Sequence, residues 1–193
     1  MTRKSLEHRK AGIERNKSKI NFQTVANYAL RIRDHLLDLF GKNMDTACKA
    51  ISWKSLPMDE RKAHLSQVYG HMSLGNRPAN LKLGGRHELG KDVLGAATEN
   101  DIIIYDSVLE SDDYDQVIDV LSHENTHNCQ QNKTETTLSK DVVDVCGANY
   151  IMPDESVEYY VKNPIEKEAW LVGQIVGRHI RHAIINKVSG RAA

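Results

Sequence analysis

Three residues, His123, Glu124 and His127, form an HExxH motif. Residues of these types at this spacing are suited to metal-dependent hydrolysis. In an α-helix, residues four apart lie one turn apart on the same face, so both imidazoles can bind one metal ion. Glu124 would lie beside them, where its carboxylate can accept a proton from an attacking water molecule. The motif therefore predicts a zinc hydrolase, and among zinc hydrolases it is most typical of peptidases.

The motif needs a helix to position it, and we predict one from about Tyr114 to Gln131, with Asp112-Asp113 at its N-cap. A helical wheel places the two histidines and Glu124 beside the apolar stripe that contains Val117 and Val120. A chance match on a solvated helix would fall more often on the polar face. The position beside the stripe therefore favours a functional site at the edge of the core.

A catalytic zinc site needs a third protein ligand, and the best downstream candidate is Glu166. Asn163-Pro164 is predicted to open a long final helix that reaches Val188, and Glu166 heads the apolar stripe of that helix. Two alternatives stay open. Glu166 is also at the position of a capping glutamate, which needs no metal. Glu168, about 200° around the helix, could be the ligand instead.

The wider pattern around the motif resembles a known family. The string from His123 to Gln131 matches HExxHxxQQ, and a short strand, IIIY, precedes the motif helix through a brief acidic loop. In these features the chain resembles the zincin metallopeptidases, and the HExxHxxQQ form resembles a group of bacterial zincin-like domains. The resemblance covers about residues 95–185.

This resemblance implies an α+β, zincin-like fold, in which a small mixed sheet packs on the motif helix between N-terminal and C-terminal helices. It also implies that the third ligand is the first residue of an ExxA signature, which Glu166 to Ala169 matches. Trp170 occupies the position where many relatives have an aspartate, so the usual carboxylate behind the ligands is missing or supplied elsewhere.

Other polar residues are candidates for supporting roles. Zincins often use a tyrosine or histidine hydrogen-bond donor to stabilise the oxyanion, so Tyr159 and Tyr160, and also Tyr150, are candidates for that donor. Asp119 lies one turn before His123, where it either orients that imidazole or is solvated.

The rest of the chain divides at about residue 78 into an N-terminal helical region, 1–78, and a zincin-like catalytic core, 79–193, which could together form one compact domain. Residues 5–75 have helical periodicity, with helices predicted to end at Gly41, to cover Met44 to Ser52 and to start after Pro57. We expect these helices to form a lobe or lid over the cleft.

The segment after residue 78 is predicted to contain two short strands and several loops. From Leu81 to Gly95 the glycines indicate loops or hairpin turns, and the strands are predicted at Ala96–Thr98 and Ile102–Tyr105. We expect extended substrate to add to this strand region. Val142 to Cys146 is compatible with either a strand or the start of a helix.

Composition excludes several classes of protein. The formal net charge is zero, no apolar run is long enough to span a bilayer, and the N-terminus lacks the apolar core of a secretory signal. The three cysteines form no CxxC pair, so neither a disulfide framework nor a thiolate zinc site is indicated. We predict a cytoplasmic protein with a protein or peptide substrate, without nucleic-acid or membrane partners. Export by a route that needs no N-terminal signal stays open.

Two other functions are compatible with this pattern. The chain could be a zincin-like binding or regulatory domain with little or no proteolytic activity, or a helical interaction protein with a coincidental motif. Stoichiometric zinc would exclude the interaction protein with a coincidental motif. Hydrolysis of a peptide library would exclude the binding or regulatory domain.

Overall fold

The computed structural model describes residues 5–72, 79–86 and 93–190. They form an α+β structure, in which helices surround a small mixed sheet. The helices are α1 (Leu6–Asn16), α2 (Phe22–Lys42), α3 (Met44–Ile51), α4 (Met58–Met72), α5 (Asp106–Leu109), α6 (Tyr114–Gln131), α7 (Lys140–Ala148), α8 (Pro153–Lys162), α9 (Pro164–Gly177) and α10 (Ile180–Val188). The strands are β1 (Asn80–Leu83), β2 (Gly95–Ala97) and β3 (Asp101–Ile104).

The sheet has the order β1-β3-β2, with β1 parallel and β2 antiparallel to β3. The two predicted strands correspond to β2 and β3, which pair Ala96 with Ile103. Strand β1 corrects the prediction of loops or turns from residue 81 onward. Its side chains alternate between exposed and half-buried, and Lys82 binds Asp101 of β3 at 2.8 Å. The predicted loop also includes residues 87–92, which lie outside the described residues.

The motif helix α6 has the predicted bounds, and its N-cap is Asp113, whose carboxylate accepts hydrogen bonds from the backbone N–H groups of Asp115 and Gln116. One side of α6 packs on β2 and β3, and another packs on α9. The motif is therefore held between the sheet and the helix that carries Glu166.

Helices α6 and α9 run antiparallel, and their backbones approach closely at two glycines of α9. A Cβ atom on Gly177 would lie 2.6 Å from the carbonyl oxygen of Asp115, and one on Gly173 would lie 2.8 Å from that of Asp119. No side chain fits in so little space. The close approach brings the first turn of α9 beside the last turns of α6.

The prediction of one long final helix is wrong, because the chain breaks into two helices, α9 and α10. His179 has a φ of 56°, in the left-handed region, and α10 leaves in a new direction to pack on α2 and α3. Arg181 holds this turn: its backbone N–H donates to Asp115, and its guanidinium donates to the carbonyl oxygen of Ile51.

The sequence from Val142 to Cys146, which was compatible with either a strand or a helix, is helical and belongs to α7.

The N-terminal helices are confirmed at α2, α3 and α4, although α2 continues one residue beyond Gly41. The predicted break at residues 75–78 lies outside the described residues. One hydrophobic core contains residues of α2, α4, β3, α6 and α9, among them Ile32, Ile102 and Leu121. Within the described residues, no helix has the length and apolar character needed to cross a membrane.

Candidate metal centre

Helices α6 and α9 bring the three predicted metal ligands together. The Nε2 atom of His127 lies 3.0 Å from Nε2 of His123 and 3.3 Å from Oε1 of Glu166. Nε2 of His123 lies 3.7 Å from Oε2 of Glu166. Tetrahedral zinc with bonds of about 2.0–2.1 Å separates its ligand atoms by about 3.3 Å. The spacing of the three side chains therefore fits one zinc ion.

Glu166 is fully buried, and its two oxygens are in different situations. Oε1 accepts a hydrogen bond from the Tyr150 hydroxyl at 2.5 Å, whereas Oε2 has no hydrogen-bond partner in the part of the chain that the structure describes. A buried carboxylate oxygen without a partner is costly. A bound cation would satisfy it, so the residues present fit a metal ion at this position.

Glu166 does not cap α9, although Asn163 is the N-cap as predicted. In a capping box, the glutamate side chain would accept a hydrogen bond from the backbone N–H of Asn163. That N–H donates to the carbonyl oxygen of Tyr160 instead. The Glu166 carboxylate is directed at the two histidines.

Glu168 also lies apart from the metal group. It is buried, and its carboxylate accepts hydrogen bonds from Gln130, Thr136 and Thr137. The structure therefore gives no support to Glu168 as the third ligand.

In the metal group, the pKa of each residue depends on the charges of the other two. Burial, with the charge of His127, lowers the pKa of His123 to about 3. Burial would also lower the pKa of His127, but the hydrogen bond and charge of Glu166 raise it to about 9. Burial alone would raise the pKa of Glu166, but the interactions with His127 lower it. Without metal, a proton on His127 therefore neutralises Glu166, and a bound metal ion would displace that proton.

Glu124 is buried against strand β2. A Cβ atom on Gly95 would lie 2.7 Å from Cγ of Glu124 and 2.9 Å from its Oε1. Burial raises the pKa of Glu124 to about 7, although the charge of His127 acts to lower it, and the charge of Glu166 adds a smaller increase. A carboxylate with a pKa near neutrality is well suited to general base catalysis.

The contact between Gly95 and Glu124 gives a testable prediction. Gly95→Ala should displace the Glu124 side chain, and we expect the rate of any hydrolysis in which Glu124 acts as the base to fall about 10- to 100-fold, because misplaced catalytic groups cost about that much. Zinc content should be unchanged. Gly70→Ala is the matched control, since a Cβ atom at Gly70 meets no atom within 4 Å. Equal activities for the two variants would refute the positional role of Gly95.

The metal group lies in a cleft with a volume of about 1300 Å³. Its walls come from β2, α6, α7, the segment that contains Tyr150, α8 and α9. No described residue of the N-terminal helices lines it. Helix α2 packs on α9, and α1 packs on α7 and α8, so in the described residues these two helices support the walls of the cleft and do not line it as a lid.

The three candidate tyrosines differ in position. Tyr150 and Tyr160 line the cleft, with their rings 6.1 Å apart, and Tyr160 also contacts Trp170. Tyr159 lies outside the cleft lining, and its ring contacts Lys10 and Lys162. Burial, and then the nearby Glu166, raise the pKa of Tyr160, so its hydroxyl is a donor at neutral pH.

Asp119 lines the cleft one turn before His123, but the structure shows no hydrogen bond between these two described residues. Burial raises the pKa of Asp119 to about 6. One polar partner of a candidate ligand was not identified from the sequence. It is Gln130, whose Oε1 lies 2.9 Å from Nδ1 of His127. The first Q of HExxHxxQQ was an available signal, and its spacing of three residues from His127 places Gln130 on the same helix face.

Comparison with known proteins assigns no family to this arrangement. No protein-family model matches the chain, and neither the curated proteins nor the solved structures contain a significant match.

Proposed function

We propose that the protein is a zinc-dependent metallopeptidase with a zincin-like fold. The observation that carries the proposal is the buried group of His123, His127 and Glu166, with an unpartnered Glu166 oxygen, at the base of a cleft that also holds Glu124. Zinc bound there would polarise the scissile carbonyl and acidify the attacking water. The order of elements, a strand at the cleft followed by the motif helix and a helix with the third ligand, supports the zincin-like assignment.

The side chains around the group have distinct proposed roles. Glu124 accepts the proton of the attacking water and passes it to the leaving amine. Tyr160 donates a hydrogen bond to the oxyanion. Tyr150 is less suited to that role, because its hydroxyl already donates to Glu166.

The strand that can accept an extended substrate is β2. Within the expected binding region, residues 96–105, strand β3 already pairs with a strand on each side and has no free edge. Strand β2 lies at the edge of the described sheet and lines the cleft, so we propose that substrate pairs with β2.

On this edge, the backbone of β2 presents groups that take no part in the described pairing with β3. Leu94 and Thr98, at the two ends of β2, make backbone hydrogen bonds toward β3. Because such bonds alternate along an antiparallel pair, Gly95 and Ala97 direct their backbone groups away from β3. The Ala97 carbonyl accepts a hydrogen bond from the Gln131 side chain at 2.9 Å. The backbone of Gly95, beside Glu124, is therefore the proposed anchor for the substrate.

The two adjacent tyrosines allow a matched test of the oxyanion donor. Tyr160→Phe should lower kcat about 10- to 100-fold with little change in KM, because the lost hydrogen bond acts in the transition state. Tyr159→Phe should leave both constants unchanged, since its ring lies outside the cleft lining. Equal effects of the two substitutions would contradict the assignment of Tyr160.

The proposed function is tested directly by zinc analysis and peptide hydrolysis. The purified protein should contain about one zinc per chain by mass spectrometry, consistent with a single three-ligand site. It should cleave a fluorogenic peptide library or labelled casein, and a chelator should stop cleavage. Zinc addition should restore it. A protein without stoichiometric zinc would refute the proposal.

A further inference from the structure

Gln130 is held in one orientation by its surroundings. It is 2 % exposed, and its Nε2 donates to the carbonyl oxygen of Ile165 at 2.9 Å and to Oε2 of Glu168 at 2.8 Å. Both partners act as acceptors, so the amide nitrogen must face them. The amide oxygen then faces Nδ1 of His127, at 2.9 Å.

This orientation determines which nitrogen of His127 carries a hydrogen. An amide oxygen can only accept, so Nδ1 of His127 is the donor. When the ring is neutral, the lone pair is therefore on Nε2, the atom that faces His123 and Glu166. A rotated Gln130 amide would place its oxygen against the Ile165 carbonyl and the Glu168 carboxylate, which is repulsive.

Glu168 anchors this arrangement from behind. It is fully buried, and besides Gln130 it accepts hydrogen bonds from the hydroxyl of Thr136 at 2.7 Å and from the backbone N–H and the hydroxyl of Thr137, both at 2.6 Å. All these contacts use the carboxylate as an acceptor. Its position is set by α9 and by the loop after α6, independently of His127.

We propose that Glu168 is a positioning residue that acts through Gln130 to hold His127 in the tautomer that binds metal through Nε2. The inference rests on the metal-binding part of the proposed function and does not require hydrolysis. Partners behind metal-ligating histidines typically change metal affinity 10- to 100-fold when removed.

The decisive variants are Glu168→Gln and the exchange of both residues, Gln130→Glu with Glu168→Gln. The single substitution places an N–H₂ donor against either the Gln130 N–H₂ or the Thr137 backbone N–H, and we expect zinc affinity to fall about 10- to 100-fold. In the exchanged pair, the carboxylate at position 130 accepts from Nδ1 of His127 and from the amide at position 168, but its second oxygen also faces the carbonyl oxygen of Ile165. Because of this repulsion we expect partial recovery, with a zinc affinity between that of Glu168→Gln and that of the original protein.

The control variant is Thr136→Val, which removes one hydrogen bond from Glu168 but leaves Gln130 in place. It should lower thermal stability while zinc affinity stays within about twofold, because the bond behind His127 is kept. If Glu168→Gln fails to fold, Gln130→Met replaces it and should show the same loss of affinity.

Zinc affinity is measured by competition with a chromogenic chelator, and the tautomer by long-range ¹H–¹⁵N correlation spectra of the zinc-bound protein. The His127 spectrum should show a protonated Nδ1 in the original protein, and this signal should weaken in Glu168→Gln and return in the exchanged pair. Unchanged affinity and an unchanged His127 signal in Glu168→Gln would overturn the inference. A protein that binds zinc but cleaves no peptide would refute the proposed peptidase function and leave this inference intact, whereas a protein that binds no zinc would refute both.

Discussion

Glu124→Gln is expected to lower peptide hydrolysis by about 10³-fold or more while leaving bound zinc unchanged, because general bases contribute about 10²- to 10⁴-fold. Glutamine keeps the size of the side chain, so the contact with Gly95 is preserved. It removes only the ability to take a proton from water. The measurements are initial rates on a fluorogenic peptide and zinc content by mass spectrometry, on the same preparation.

The matched control is Glu99→Gln, at the exposed β2–β3 turn, which should change neither quantity. Retained activity in Glu124→Gln would show that another group is the base. A different result would favour the zincin-like binding domain: zinc bound in both proteins, with no hydrolysis by either. The substitution therefore separates the two functions that share the same metal group.

The parts of the site that could be predicted from sequence are those set by helical periodicity. The bounds of α6, its Asp113 cap and the shared face of His123 and His127 follow from residues close in the chain. The position of Glu166 could be predicted because a carboxylate on an apolar stripe needs a partner. Its approach to the histidines follows from the antiparallel packing of α6 and α9.

The features that could not be predicted depend on residues distant in the chain. Strand β1 pairs in parallel with β3, and its four residues carry no strong strand pattern of their own. The break at His179 arises because α10 packs on α2 and α3, which the periodicity of α9 does not reveal. Likewise, the contact between Gln130 and Glu168 joins two helices 38 positions apart.

The sequence left the three tyrosines open as candidates for a related reason. Helix α8 was not identified, and its backbone leaves helical geometry at Ser156, where φ is −170° and ψ is 106°. A helical wheel extended through such a kink assigns the wrong faces. Only the three-dimensional structure separates Tyr160, in the cleft, from Tyr159, outside its lining.

Glu166→Gln is expected to weaken zinc binding by at least about 100-fold, because it replaces the anionic ligand of the site and places an N–H₂ group among the ligands. The loss should appear in thermal stability, since a ligand that binds only the folded state stabilises it by RT ln(1 + [L]/Kd). With zinc at about 1,000 times the original Kd, the original protein gains about 4 kcal/mol and the variant about 1.4 kcal/mol. For a chain of this size, the zinc-induced rise in Tm should therefore be about 5–11 °C smaller in the variant.

The zinc-free proteins provide an independent test of the same carboxylate. Glu166 raises the pKa of His127 to about 9, above the value of about 6.5 expected in the unfolded chain. A group whose pKa is raised by folding contributes stability that is complete below about pH 6.5 and is lost as the pH rises through about 9. The difference in Tm between zinc-free original protein and Glu166→Gln should therefore be larger at pH 6 than at pH 10.

Glu158→Gln, on the exposed face of α8, should show neither this pH dependence nor a loss of zinc binding, because Glu158 contacts Lys162 and not the metal group. Among the described residues, no other acidic, histidine or cysteine side chain lies with His123 and His127 in a group that could hold a metal, so none could replace Glu166 as a ligand. Equal zinc-induced stabilisation of the original protein and Glu166→Gln would therefore show that Glu166 does not bind the metal.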